Sequence, residues 1–455
     1  MQENNSFIIA DVNLFDGYKF VADGYVVVRR GLIAEVGCTN RDVPSEQDFP
    51  RFSRPGYTLI PGLIDTHIHA MPMPGDIHDC VEQSLRFGVT TVCDMHSEVD
   101  DIEQLKKGLS NTQSTSDSQN KNKYADYKFS GIGAIIDGGW PIPVMKKGFS
   151  SHPHCDQLVH NIVSKWPLLK SPADAEPFVQ LQVNKHGASY IKLFHELGDS
   201  LGMNDLPRPS MDIQKAVVEA AHKAGVIAVG HALSYAGAKD LFDAGVDGLT
   251  HCFLDKPPSD DFIDIMLTRN IHCNPTLVLC ASQTVERQEW QREFRKDPLA
   301  DRMMLRKSPD QPLGLAETQK PRVRVQNAYE TARKMYQAGI TLVAGSDAGG
   351  QEFGVAYGLG MHIEMYLLKH EIGMTLEDVL KAATSNVAKR FGFNDRGEIA
   401  VGKKADFVLL KGDADSVLSD IQQRCLPVEG VWRDGVLANV YEERFPEFSL
   451  KRDED

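Results

Sequence analysis

The sequence predicts an α/β protein: a (β/α)8 TIM barrel with a small β-sandwich domain assembled from both ends of the chain. Three observations carry this expectation. The two ends are β-rich, the middle alternates buried strands with helical stretches, and metal-compatible side chains stand at the ends of those strands. At 455 residues the chain exceeds one ordinary domain, but a barrel with extra strands absorbs such a length.

Near the start, SFIIADVNLFDG and GYVVVRRGLIAEVG are short β-branched segments bounded by Gly or Asp-Gly turn signals. KADFVLLKGD and EGVWRDGVLANV repeat that texture near the other end, the second around Arg433-Asp434-Gly435. The expected division is a composite β domain, residues 1–57 and 396–455, enclosing a barrel over residues 58–395.

Eight strand candidates follow in the middle: GLIDTHIH, GVTTVCDM, FSGIGAIID, ASYIKLFHE, GVIAVGHA, GVDGLTHC, IHCNPTLVL and GITLVAGSDAG. Helices with a Gly stop precede most of them, such as DIQKAVVEAAHKAG before Val226 and SYAGAKDLFDAG before Val246. The polar run Ser110 to Lys123 reads as a flexible excursion from a surface loop. The Gly/Pro-rich stretches Gly138 to Asp156 and Asp199 to Pro209 follow strands three and four, where barrel loops rim an active-site mouth.

A net charge of −14, with no Lys/Arg block interleaved with aromatics, argues against nucleic-acid partners. No apolar run approaches the ~18 residues of a membrane span, and MQENNSFIIADV lacks the basic start and apolar stretch of a signal peptide, so a cytoplasmic location is expected. The eight cysteines show no CxxC spacing and read as reduced and structural.

The chemistry begins in Thr58 to His69, TLIPGLIDTHIH. Strand side chains alternate faces, so His67 and His69 point the same way at a strand end, half of a metal site. Lys192 in strand four, His231 at strand five, His251 at strand six and Asp347 at strand eight complete the set. Any one of these histidines alone is as readily a hydrogen-bonded core residue. Six such residues from five strands at one rim point to a site.

Over nearly its whole length the chain resembles the amidohydrolase superfamily, metal-dependent hydrolases on a distorted (β/α)8 barrel. The resemblance rests on IADVNLFDG, TLIPGLIDTHIH, YIKLF, VIAVGHA, GVDGLTHC, LVAGSDAG, TSNVAKRFG and GEIAVGKKADFVLL. It is greatest to the imidazolonepropionase-like and prolidase-like group. The resemblance implies two divalent metals, with His67, His69 and Asp347 on the first and His231 and His251 on the second. Lys192, as a carbamate formed with CO2, would bridge them. Zinc is the first choice, and manganese, iron or cobalt suit the same ligands. It further implies a water activated by the metals, Asp347 as general base and then acid, and hydrolysis of a C–N bond in a small-molecule amide. Relatives often assemble, so a homo-oligomer is among the implied partners.

Two other readings stand beside this one. A deaminase of a cyclic amidine or nucleobase-like ring would need one metal and usually lacks the strand-four lysine, and a non-catalytic scaffold would not need all six ligands. For the substrate, Trp140, His195 and His96 are the candidate contacts. Trp140 stands where relatives often carry a histidine after strand three, and there it supplies a flat apolar wall. The second HxH, His152 and His154, reads as solvated loop, and His362 with Glu364 as support for the loop bearing Asp347.

Overall fold

The first strands of the terminal sheet bury side chains on both of their faces. The computed structural model describes residues 6–38, 49–70, 76–114, 122–203, 206–284, 293–305, 323–349, 354–413, 416–419 and 424–446. Strands β1 (Phe7–Phe15), β2 (Phe20–Arg29) and β3 (Leu32–Cys38) form an antiparallel meander, while β4 (Arg51–Ser53) and β5 (Tyr57–Pro61) run parallel to β1. Phe7, Ile9, Val26 and Val28 join the main core. Ile8, Ala10, Tyr25 and Val27, on the opposite face, pack into a small cluster of their own.

Seven central strands follow: β6 (Leu63–Ile68), β7 (Val89–Asp94), β8 (Asp126–Phe129), β9 (Ile191–Phe194), β10 (Ala228–His231), β11 (Gly248–Thr250) and β12 (His272–Asn274). They form two parallel ladders, β6-β7-β8 and β9-β10-β11-β12. Every residue of these strands except Asp126 and Lys128 is buried, as expected of parallel strands covered on both faces. Isolated parallel bridges join Ala134 to Leu193, Cys273 to Leu342 and Ile68 to Ala348, so residues 340–348 lie between β12 and β6.

That eighth segment is not a regular strand, because its backbone groups are claimed by other partners. The Ala344 amide donates to the Ala382 carbonyl at 2.7 Å, and the Ser346 amide to Asp65 Oδ1 at 2.9 Å. The third segment likewise stops at Phe129: the chain turns through Gly131 (φ +72°) before the Ala134 amide reaches the Lys192 carbonyl at 2.7 Å.

The helices are bounded as their sequences suggest. Ser210 Oγ accepts the Ile213 amide at the start of Met211–Lys223, and Ser234 caps Tyr235–Ala244, which ends at left-handed Gly245. The helix Val99–Ser114 runs into the polar stretch expected to be a loop, and residues 115–121 lie outside the described residues. Strands β13 (Phe407–Lys411), β14 (Val428–Arg433) and β15 (Val436–Leu437) return to the terminal sheet, β13 pairing antiparallel with β5. Strands of both ends thus share one hydrogen-bonded sheet, ordered β15-β14-β13-β5-β1-β2-β3, with β4 on β1. No helix among the described residues is long and apolar enough to cross a membrane.

Candidate metal centre

His67 and His69 project from the same face of the chain at the end of β6, and their Nε2 atoms lie 3.3 Å apart. Asp347 Oδ1 sits 3.2 Å from the first and 3.1 Å from the second. The Asp347 amide donates to the His67 carbonyl at 2.7 Å, and the His69 amide to the Ala348 carbonyl at 2.8 Å, so backbone bonds fix all three side chains. Asp65 pins the two segments together: its Oδ1 accepts the His67 and Ser346 amides at 3.1 and 2.9 Å, and its Oδ2 accepts Ser346 Oγ at 2.6 Å. Burial pushes the Asp65 carboxyl up to about 6, against those donors.

The space behind this corner is full. A Cβ on Gly345 would lie 2.5 Å from Thr66 Oγ1 and 2.9 Å from the His67 amide. Gly345→Ala is expected to destabilise the protein by about 1–3 kcal/mol through overpacking, read as a lower denaturant midpoint.

Lys192 is wholly buried on β9, and its Nζ donates to Thr250 Oγ1 at 2.5 Å. Burial brings its amine down to about 7, opposed by the Asp347 charge. The His231 and His251 rings meet nearly edge to face at 4.7 Å, and His251 lies 5.1 Å from the His67 ring. His251 Nδ1 and Thr276 Oγ1 share a 2.7 Å hydrogen bond. Donation from that nitrogen leaves Nε2 with a lone pair. Three non-glycine residues here adopt positive φ: His251 (+81°), Thr276 (+45°) and Asp347 (+56°). Such strain persists only where surrounding structure enforces it, and it gathers at functional sites.

The donor set fits a divalent cation. Burial holds His67, His231 and His251 below the usual imidazole range, the neutral form that ligates metals. For His69 burial acts the same way but is outweighed by Asp347, which raises it. Burial also works against an ionised Asp347, yet the adjacent histidines hold its carboxyl well below the usual carboxylate range. Donor atoms of His67, His251 and Asp347 all lie within 4.8 Å of one another. Access comes from one side, since His69 and Asp347 keep 20% and 11% of their side chains exposed and His67 keeps 1%.

The model of the amidohydrolase family matches residues 202–441, more than half of the chain. The chain belongs to the amidohydrolase family. Imidazolonepropionase of Nocardia farcinica (strain IFM 10152) is 32% identical over 113 residues, 25% of this chain and 28% of that protein. The alignments with the curated relatives reach less than a third of those proteins' length. Among solved structures, molinate hydrolase superposes with a TM-score of 0.74 at 20% identity, covering 97% of this chain and 96% of that one. A Xaa-Pro dipeptidase gives 0.67 at 20% identity, over 95% and 99%. Parts of the amidohydrolase are thus similar to imidazolonepropionases, and its fold is similar to that of a Xaa-Pro dipeptidase.

Of the residues expected to meet substrate, Trp140 touches this centre and His96 lies one ring away, across Phe194. Trp140 stacks on His231 with ring centroids 5.5 Å apart and 21° between planes. His96 is half-buried, accepts the Gly133 amide at Nδ1 (3.1 Å), and is pushed down to about 3 by burial, helped by the His69 and Lys192 charges.

His195 does not join them. Its neighbours Phe194 and Glu196 alternate with it, and its ring faces outward between Gln214 and Asp240, bonding Asp240 Oδ2 at 2.9 Å beside a groove of about 470 Å³. Instead Glu196, on the same strand face as Lys192, reaches His231 Nε2 at 3.2 Å and also accepts the Gly198 and Leu233 amides at 2.7 and 3.1 Å. The spacing 192, 194, 196 carried that signal. His152 and His154 are exposed, as a solvated loop requires.

His362 and Glu364 support other parts of the amidohydrolase than the Asp347 loop. His362 bonds the Phe87 carbonyl at 2.7 Å and the Leu426 amide at 3.2 Å, while Glu364 Oε2 accepts the Val278 amide at 2.9 Å. Burial pushes the Glu364 carboxyl up to about 8 from 4.5. Between those values the folded chain holds a proton that the unfolded chain has released, so this group's contribution to stability falls as pH rises from about 4.5 to about 8. Glu364→Gln should remove that slope, by a few kcal/mol at most, in unfolding curves recorded against pH.

Proposed function

We propose that this chain hydrolyses the C–N bond of a small-molecule amide at a centre of two divalent cations, zinc being the first choice. His67, His69 and Asp347 would hold one cation and His231 and His251 the other, with Lys192 between them as a carbamate. Lys192 is suited to that role: an amine brought down to about 7 has a large neutral fraction at neutral pH, about half, and that form adds CO2 and releases one proton. We read the bridged ring of eight segments as a distorted (β/α)8 barrel whose strand ends carry these residues. When bound, the cations lower the pKa of a water and polarise the scissile carbonyl.

The observation that carries the reading is Asp347 Oδ1, 3.1 to 3.2 Å from two imidazole nitrogens on the open side of the cluster. From there Asp347 takes the proton of the attacking water as its oxygen bonds to the carbonyl carbon. It then delivers that proton to the departing amine as the C–N bond breaks. Glu196 holds His231 in place through Nε2. A screen of the zinc- or manganese-loaded protein against N-acyl amino acids, dipeptides, lactams and amidated aromatics tests the reading. Release of a free amine is expected. Ammonia release from a ring substrate would point to a deaminase, and no turnover of any class would contradict the proposal.

A further inference from the structure

Beside the metal centre runs a wall of rings. Trp140 stacks on His231, Phe194 leans on the same imidazole at 5.5 Å, and His96 meets Phe194 at 5.5 Å and Trp166 at 4.9 Å, both edge-on. Trp166 is itself fixed, since its Nε1–H donates to Glu98 at 2.7 Å. Ile132, Ile135, Val159 and Val163 back the wall as a cluster separate from the main core. Gly133 belongs to the packing too, because a Cβ there would strike the Phe194 ring.

Phe194 and Trp166 are buried, whereas Trp140 and His96 are half-exposed. The wall therefore presents an indole and an imidazole. The Gly133 amide can only donate, so His96 Nδ1 is the acceptor and the ring proton sits on Nε2, which has no hydrogen-bond partner among the described residues. A rigid N–H donor beside an aromatic surface defines a chemistry. The surface favours flat apolar groups through stacking, and the donor requires an acceptor oxygen.

Building on the hydrolase reading above, we propose that Trp140 and His96 set its substrate class. The substrate is an aryl amide whose ring lies against Trp140 and whose oxygen accepts the His96 Nε2–H.

N-Methylbenzamide and N-methylcyclohexanecarboxamide share a carbon count and a leaving amine and differ in the planarity of the ring. Metal-loaded wild type is expected to hydrolyse N-methylbenzamide with a kcat/KM at least roughly tenfold higher. Calorimetry on the metal-free protein should show a similar preference in binding. Trp140→Ala should bring both ratios to within about threefold, while Trp140→Phe keeps most of the preference. Metal content, measured in each variant, should stay at the wild-type level. His96→Phe keeps a packed ring without the donor and should lower kcat/KM about tenfold or more, mainly through KM. His96→Gln restores an N–H at similar reach and should recover most of the loss. Equal treatment of the two amides by wild type, or a preference untouched by Trp140→Ala, would overturn the proposal. Aryl-selective binding by a protein that cleaves no amide would instead contradict the hydrolase reading and leave the wall's selectivity standing.

Discussion

Asp347→Asn is expected to cut kcat by roughly 10³-fold or more while leaving the melting temperature within a few degrees of wild type. The substitution keeps the size of the side chain and its backbone bond to the His67 carbonyl. It removes the negative oxygen that stands 3.1 to 3.2 Å from both histidines, and with it the group that takes and returns the proton. Because an amide cannot accept that proton at neutral pH, the loss should persist at every pH where the wild type is active. Retained turnover in a metal-loaded variant would refute Asp347 as the base.

Lys192→Ala should be nearly as damaging by a different route. The lysine is wholly buried, bonds only Thr250 among the described residues, and has its amine brought down to about 7. As a carbamate it would supply the anionic oxygens two neighbouring cations need. Without it, metal content should fall from two per chain towards one and turnover by on the order of 10²-fold or more. Formate or acetate in the buffer, able to enter the vacated space as a surrogate carboxylate, should restore part of both. Thr250 keeps its own bond to the Gly230 carbonyl at 3.2 Å, so folding should survive. A variant with unchanged metal content would remove Lys192 from the centre.

Much of this site was legible because it follows strand periodicity. His67 and His69 share a face for the same reason that Lys192 and Glu196 do, two-residue alternation, and that rule also turns His195 outward. The rule fails where side chains take over backbone bonding. Residues 340–348 read as a strand, but Asp65 captures the Ser346 amide and the chain passes through positive φ at Asp347. No local pattern announces a carboxylate 281 residues away in sequence. The partners of His362 and Glu364 are equally remote, at Phe87 and Val278, so their type could be read and their targets could not. Trp140 was readable as an aromatic wall, but its stacking on His231 depends on how the loop after β8 folds back.

A two-cation centre fixes the metal content per chain, which can be measured outright. Elemental analysis of protein purified without chelator, with bicarbonate present, should find two equivalents of zinc or a similar divalent metal. One equivalent, with Lys192 present as a free amine, would rule out the two-cation centre.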